Sequence, residues 1–404
     1  MKFNKNKILS SIAASSLALL FTGAASAVTW KAGDTDVTLY GYVKLDMIYD
    51  FDADLGNSVT RSKIRLDGDK GADGHFNMHA YQSRFGFITS TPTESGDLKT
   101  LLEIDFFGSP GTPDTSSQIL RLRRAFAEWN GILAGQNSSN FGPETAYMPT
   151  LDFYGQPGGP NGRVPQLRYT SGPLSFSLED PEIAGGTSSG QTYKNAAGVT
   201  NKTGVSVSNL PTLTAAYNNK VGNLTYVASG LVRQLQYNVD IQNSANPLQP
   251  DVSNSKKSAT GWGLLLQGAY AMGDTTVRAG VTHGDGIGKA IYFNSGDPAY
   301  YNSAKNKLET VTGTGFKTSL SQKIGNGSAN IGYSRVMNQV NDKVQAMNAV
   351  QTMDKTQESL YVNYLWNPIK SVTYGVEVSH HKRKTFTDVK GDATRLQASL
   401  QYTF

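Results

Sequence analysis

The amino-acid sequence predicts an all-β fold, a transmembrane antiparallel β-barrel of about 16 strands with one loop folded into its lumen. Three observations support this prediction. The chain begins with an export signal, it has no cysteine and no second long apolar segment, and apolar and polar residues alternate through the rest of its length. Because lipid cannot hydrogen-bond to the open edge of a sheet, such strands must close into a barrel.

The amino-terminal segment has the three parts of a signal peptide. Three lysines within the first seven residues precede an apolar run from Ile8 to Phe21, and small residues follow up to Ala27. The run is too short and too rich in serine for a membrane-spanning helix. We therefore predict a signal peptide at residues 1–27, cleaved after Ala27, and one barrel domain at residues 28–404.

The last strand shows the alternation most clearly. Leu396, Leu400 and Tyr402 lie on one face, with polar residues between them. This strand is predicted to pair with a first strand at Val37–Asp50 and to place Phe404 at the periplasmic membrane interface. A soluble β-sandwich also alternates, but here aromatic residues gather near strand ends, as in the aromatic girdles of membrane barrels.

Short and long connections alternate along the chain. Seven short turns and eight long polar loops connect 16 strands, an even number typical of bacterial outer-membrane barrels. The short turns lie near Gly96, Gly131, Gly172, Gly222, Gly273 and Gly325 and in "NPIKS" after Asn367. The long loops are predicted at residues 51–78, 108–118, 137–163, 181–209, 234–258, 284–310, 339–355 and 382–392.

Composition excludes several classes of function. Without cysteine there is neither a disulfide framework nor thiol chemistry. Subtracting the three signal lysines leaves 37 − 3 = 34 basic residues against 32 acidic ones, so charge does not favour a nucleic-acid partner. The histidines have no Ser/His/acid signature, and the adjacent His380 and His381 point to opposite faces of a strand. We predict no enzymatic activity, no cofactor and no metal site.

The alternation of inward and outward residues along each strand indicates which charged side chains face the lumen. With apolar faces outward, the first strand directs Lys44 and Asp46 inward. In the next arginine-rich strand, Arg121 and Arg123 share one face and Arg124 lies on the other, so at least one of them enters the lumen. The predicted basic lining is Lys44, Arg84, Arg121, Arg123, Arg163, Arg168 and Arg278. The predicted acidic residues of the lumen and constriction are Asp46, Glu103, Asp105, Glu144 and Asp152.

The loop at about residues 137–163 is rich in proline and aromatic residues. Such a segment is stiffer than a free surface loop, so we predict that it folds into the lumen and narrows it. Glu144, Asp152 and Arg163 would then lie at or near the constriction. The alternative is an extracellular cap.

Several stretches of the sequence are similar to known porins. The segments are "GYVKLDMIYDFDADLG", "RRAFAEWNGILAGQNSSNF", "PETAYMPTLDFYGQPGGPNGRVPQLRYTSGPLSFSLEDPE" and the closing "LQYTF". Together they resemble the DcaP-like trimeric porins of Gram-negative bacteria, within the superfamily of general porins. The resemblance implies a trimer of 16-stranded barrels that passes small anions, with dicarboxylic and aromatic acids as substrates. The residues of the matching segments that can carry this function over to the present chain are Arg84, Arg121, Arg123, Arg163 and Arg168.

The resemblance also implies partners, and this sequence differs from the family in one respect. A final strand ending in Phe404 resembles the signal read by the outer-membrane assembly machinery, and lipid and lipopolysaccharide would surround the barrel. Family members often carry a helical periplasmic extension at the amino terminus. Here only "VTWKAGDTD" separates the predicted cleavage site from the first strand, so no role of that extension transfers.

The expected function is passive diffusion of small hydrophilic solutes through an outer-membrane channel that prefers small anions. Lumenal arginines can bind a passing carboxylate, but they can also pair structurally with Glu103, Asp105 or Asp46. The second interpretation predicts a non-selective diffusion channel, with a secondary role as a surface receptor or adhesin.

Overall fold

The computed structural model describes most of the chain after residue 26. The described residues are 27–108, 119–142, 144–181, 192–194, 200–202, 204–239, 255–292, 294, 297–302, 305–340 and 353–404. The predicted signal peptide, apart from its last residue, lies outside the described residues. So do parts of the predicted loops at 108–118, 181–209, 234–258, 284–310 and 339–355.

The described chain consists of β-strands, their connections and two short 3-10 turns at Arg61–Lys63 and Gly288–Ala290. None of its helices is long and apolar enough to cross a membrane. The strands are β1 (Val28–Ala32), β2 (Thr35–Asp50), β3 (His75–His79), β4 (Arg84–Thr91), β5 (Leu98–Asp105), β6 (Arg121–Trp129), β7 (Ile132–Ser138), β8 (Arg163–Ser171), β9 (Leu174–Glu179), β10 (Thr192–Lys194), β11 (Thr200–Lys202), β12 (Gly204–Val207), β13 (Thr212–Val221), β14 (Leu224–Val239), β15 (Ser255–Met272), β16 (Thr275–Asp285), β17 (Ala299–Asn302), β18 (Lys307–Thr310), β19 (Thr312–Ile324), β20 (Gly327–Gln339), β21 (Asp354–Ile369), β22 (Val372–Thr385) and β23 (Lys390–Thr403).

The main sheet closes into a barrel. The last strand β23 pairs antiparallel with β2, from Tyr42 opposite Thr403 to Asp50 opposite Arg395. Strands β3 and β4 follow one another along the other edge of β2, and β12 and β13 share one edge of β14 in the same way. Each of these pairs fills one position, so the described residues form a closed antiparallel barrel of 16 strand positions. The predicted fold and its closing pair are confirmed.

The seven predicted short turns all lie at one end of the barrel. At Asn130 and Gly131 the backbone φ angles are 53° and 77°, the left-handed conformation that suits a two-residue hairpin. In outer-membrane barrels the short turns face the periplasm, and the long loops face the outside. The prediction of a long loop at residues 382–392 is wrong, because the connection is shorter. Strand β22 continues to Thr385 and β23 begins at Lys390, because charged side chains above the apolar band can remain in a strand.

Side chains follow the predicted alternation around the barrel. Phe176, Leu264, Val362 and Leu400 are exposed on the outer surface, where lipid replaces water. Inward residues of the same strands are polar or lie under the inward loops. This pattern places the apolar faces outward, as the sequence predicts.

The barrel wall differs in height around its circumference. The strands from β4 to β9 contain between six and nine residues, whereas β14, β15 and β21 contain 16 to 18. We call the first group the low wall and the second group, with the strands between them, the high wall. Five arginines and two carboxylates described below lie on the low wall.

The hydrophobic core lies inside the barrel, between the high wall and loops that fold inward. Phe141, Ile287 and Ile291 come from two such loops and pack against Val227 and Leu231 of β14. A second cluster joins the loop after β2 to the start of β23. The packed loops of the first cluster fill the high-wall side of the lumen.

Candidate functional site

The segment between β7 and β8, residues 139–162, lies inside the barrel, and we call it the constriction loop. Its backbone is bound by the inner face of the opposite strands. Asn363 donates to the Pro149 carbonyl at 2.8 Å, and the Tyr361 hydroxyl donates to the Gly155 carbonyl at 2.8 Å. The predicted inward fold is confirmed, and the loop ends within two residues of the predicted bounds.

The peptide between Leu151 and Asp152 is the most heavily bonded point of the constriction loop. Glu377 accepts hydrogen bonds from both backbone N–H groups, at 3.0 and 3.1 Å. Lys44 Nζ donates to the Leu151 carbonyl at 3.0 Å, and Gln397 donates to it at 3.2 Å. Glu377 is 2% exposed and pairs with no basic side chain in the described part of the chain. These polar groups position the loop across the lumen.

The two predicted acids of the constriction loop also bind other parts of the protein. Glu144 forms an ion pair with Lys317, a buried residue of β19. Asp152 accepts hydrogen bonds from the Ser58 hydroxyl and the Val59 N–H, both at 2.8 Å, and is 2% exposed. Glu144 therefore joins the constriction loop to the barrel wall, and Asp152 joins it to the loop after β2.

A second loop, which the sequence pattern does not predict, folds into the lumen. Gly158 N–H donates to the Tyr292 carbonyl at 3.0 Å, and Tyr292 N–H donates to the Gly159 carbonyl at 2.8 Å. The sequence signal was the presence of Ile287 and Ile291 in a segment predicted to be a polar loop. Both isoleucines are fully buried beside the constriction loop.

Five arginines gather along the low wall around two carboxylates of β5, and we call this group the arginine cluster. Arg121 donates to both oxygens of Asp105, at 3.0 and 2.7 Å. Arg123 joins the two acids, with bonds of 2.8 Å to Glu103 and 2.6 Å to Asp105. The five arginines are Arg84, Arg121, Arg123, Arg124 and Arg163.

A β-bulge brings all three arginines of β6 into the cluster. Ile104 pairs with Leu122 and Glu103 pairs with Arg124, so Arg123 is an extra residue with no partner of its own in the ladder. The prediction that Arg124 faces away from the other two arginines of β6 is wrong. A single inserted residue reverses the alternation, and nothing in the sequence marks its position.

Three arginines of the cluster are weakly paired. The side chains of Arg84 and Arg124 lie 3.7 and 3.5 Å from Glu103, and neither side chain forms a hydrogen bond within the described residues. The Arg163 side chain has no hydrogen bond or ion pair there, yet lies close enough to the other four arginines for their charges to act on it. Five arginines against two carboxylates leave an excess charge of 5 − 2 = +3. This side of the lumen is therefore electropositive.

Aromatic rings lie between the arginine cluster and the constriction loop. The rings of Phe107 and Phe153 stack with centroids 4.4 Å apart, and Arg121 lies 5.1 Å above Phe153. Tyr154 and Tyr292 continue the row, with ring centroids 6.5 Å apart. Burial raises the pKa of Tyr154, so its hydroxyl stays protonated and neutral at physiological pH. The site thus combines cationic side chains with aromatic faces.

The remaining predicted lumen charges lie outside the cluster. Lys44 pairs with Asp46 at 3.0 Å beside the constriction loop. Arg168 donates to a backbone carbonyl at 2.5 Å, and Arg278 donates to a serine hydroxyl at 2.7 Å. Arg168 and Arg278 each lie three residues from a turn end of their strands. The structure therefore brings together four of the seven predicted basic residues and adds Arg124.

No group of three or more His, Asp or Glu side chains in the described residues is arranged to hold a metal ion. The site has the chemistry of a charged passage, with cations and aromatic rings along the open side of a constriction.

Comparisons with known proteins agree with this architecture. The sequence matches the family described as DcaP outer membrane protein over residues 14–404. The crystal structure of the outer membrane channel DcaP of Acinetobacter baumannii is 25% identical, with a TM-score of 0.75, and the match covers 94% of this chain and 100% of that chain. Direct comparison with curated protein sequences finds no match.

Two further structures share the fold at lower identity. OmpT of Vibrio cholerae is 12% identical with a TM-score of 0.53, and the match covers 93% of this chain and 100% of that chain. The anion-selective porin from Comamonas acidovorans is 13% identical with a TM-score of 0.53, covering 92% and 100%.

The family match spans almost the whole chain, and the barrel superposes on a channel of the same family over nearly its full length. The family is described as an outer membrane protein and this member as an outer membrane channel, and neither is described as an enzyme. The chain therefore belongs to the DcaP outer membrane protein family and forms a channel in the outer membrane.

Proposed function

We propose that the channel prefers small anions, with dicarboxylic or aromatic acids among its solutes, and lets them diffuse passively. The observation that carries this proposal is the excess charge of the arginine cluster. Arg84, Arg124 and Arg163 have no firm acidic partner within the described residues, so their donors are available to a solute. Guanidinium groups recognise carboxylates through paired N–H donors.

An anion passes through such a site only if the arginines attract it without binding it so tightly that it cannot leave. The guanidinium groups replace part of the water shell of a carboxylate as it reaches the constriction. Glu103 and Asp105 already occupy Arg121 and Arg123, which limits the strength of the attraction. The faces of Phe107 and Phe153 offer a surface to the apolar part of the solute. An anion would therefore bind briefly and leave on either side.

The assembly and export steps belong to the same proposal. We infer that the signal peptide is cleaved after Ala27, that the strand ending in Phe404 is read by the assembly machinery, and that the barrel sits among lipid and lipopolysaccharide. We also infer a homotrimer. OmpT of Vibrio cholerae, which has the same fold, is described in a trimer form.

The experiment that tests anion preference is the zero-current reversal potential of the purified mature protein in a planar bilayer under a KCl gradient. The wild type should be anion-selective. The double variant Arg84→Ala/Arg163→Ala removes two of three excess charges, so its permeability ratio should fall towards that of free diffusion.

Arg335→Ala is the matched control, since Arg335 lies on the outer face opposite Phe316 and pairs with Glu358. It removes one positive charge without touching the lumen, so selectivity should stay unchanged. A wild type without anion selectivity would contradict the proposal and favour a non-selective diffusion channel with a secondary role as a surface receptor or adhesin.

A further inference from the structure

The bulge in β6 changes which side of the barrel wall receives a charged residue. Along a regular strand Arg124 would alternate with Arg123 and point to lipid, where a charged side chain is strongly disfavoured. Because the ladder passes from Leu122 directly to Arg124, Arg124 instead lies opposite Glu103 on the lumen side.

The neighbouring strand β7 fits this irregular backbone. Gln136 Nε2 donates to the carbonyls of Leu122 and Arg123, at 3.1 and 3.2 Å, so the bulge leaves no unsatisfied acceptor at either residue. Gly135 has a φ of 127°, and a Cβ there would lie 2.3 Å from the Ala125 carbonyl oxygen. Strand β7 can approach the bulged strand this closely because Gly135 has no side chain.

The guanidinium of Arg124 is short of acceptors. Its Nη1 is buried without a hydrogen-bond partner, and the Nε of Arg84 is in the same state. Both side chains expose less than a fifth of their surface. Glu103 lies between them but bonds firmly to Arg123 and accepts from the Tyr40 hydroxyl at 3.0 Å. A second carboxylate entering from the lumen would supply the acceptors that Glu103 does not.

We propose that Arg124 is a specificity-determining residue of the channel, which the bulge admits to the lumen so that it binds the carboxylate of a passing anion together with Arg84 and Arg163. The inference rests on the proposed anion preference and deepens it. The inference requires that these arginines can surround a carboxylate. The Glu103 carboxylate already lies among Arg84, Arg123 and Arg124. The ligand class is a carboxylate whose two oxygens accept paired N–H donors.

The test compares reversal potentials in KCl and in potassium acetate for the wild type, Arg124→Ala and Arg124→Lys. Arg124→Ala should lower the anion-to-cation permeability ratio about threefold, because one of three excess charges is lost. Arg124→Lys keeps the charge but lacks the planar pair of donors. It should retain selectivity for chloride over potassium and lower the acetate-to-chloride ratio about twofold.

The controls separate this inference from the proposed function. Arg335→Ala should match the wild type in both salts, and heat-modifiable gel migration should show that each variant is folded. An anion-selective wild type whose Arg124→Ala and Arg124→Lys variants behave identically to it would overturn the role of Arg124 alone. A wild type that lacks anion selectivity would overturn the proposed function itself.

Discussion

Glu103 is the residue that most limits the charge available in the lumen. Its carboxylate contacts Arg84, Arg123 and Arg124 and is 1% exposed. It therefore acts as an internal counter-anion in the place where a solute carboxylate would bind. Under the proposed anion preference, the protein itself would partly neutralise these arginines and keep the binding of a solute weak.

Replacing Glu103 by glutamine should strengthen anion selectivity and weaken the fold. The excess charge of the cluster rises from +3 to +4, so the anion-to-cation permeability ratio should increase about twofold. The same change removes a charged hydrogen-bond partner from Arg123, which is 6% exposed, at a cost of about 2 kcal/mol. Reversal potentials and the temperature of heat modification measure the two effects. An unchanged permeability ratio would show that Glu103 does not screen the passage.

The faces of individual residues were predictable where strands are regular. Lys44, Asp46, Glu103 and Asp105 were assigned to the lumen from the period of two alone, and the structure places them there. Arg124 was assigned wrongly because one bulged residue shifts the phase. The choice of partners was not predictable either, since it depends on which loops meet inside the barrel.

At the scale of elements, the constriction loop depends on a few polar groups of β21 and β22. The Glu377 carboxylate accepts the N–H groups of Leu151 and Asp152 and is also bonded by Asn363 at 2.8 Å. No other side chain in the described residues accepts from these two N–H groups. The position of the loop therefore rests heavily on one acidic side chain.

Glu377→Ala should loosen the constriction loop while the barrel remains closed. The two N–H groups lose their acceptor, which costs about 1–3 kcal/mol for each buried group left without a partner. Single-channel recordings should show larger current fluctuations and more sublevels than in the wild type. Glu358→Ala serves as control, since this acidic residue lies on the outer face beside Arg335. Steady wild-type currents in Glu377→Ala would contradict this role.

Whole elements were predicted with mixed success, for physical reasons. The seven short turns were all located, because glycine marks a left-handed backbone position in six of them and "NPIKS" interrupts the alternation in the seventh. The inward loop containing Ile287 and Ile291 was missed, since its apolar residues only become meaningful beside the constriction loop. Strand ends were placed too early where charged residues continue a strand above the lipid, as in β22.

At the scale of the whole molecule, selectivity should depend on salt. The arginine cluster faces a water-filled passage, where the Debye length falls from about 10 Å at 0.1 M to about 3 Å at 1 M. The anion-to-cation permeability ratio of the wild type should therefore decline when the mean salt concentration rises over that range. Reversal potentials at a constant gradient measure this decline. A ratio independent of salt would mean that steric fit, and not charge, sets the preference.

The unequal height of the barrel wall has a consequence for the surrounding membrane. A transmembrane strand needs about 9–11 residues to cross the hydrocarbon layer, and the strands of the low wall have between six and nine. Four of these strands, β4, β5, β7 and β9, are shorter than that, so we expect lipid to thin beside the low wall and the hydrophobic mismatch to lie on that side. Barrels that meet along their low walls remove that strained lipid from contact, and the elasticity of the bilayer itself then favours their association.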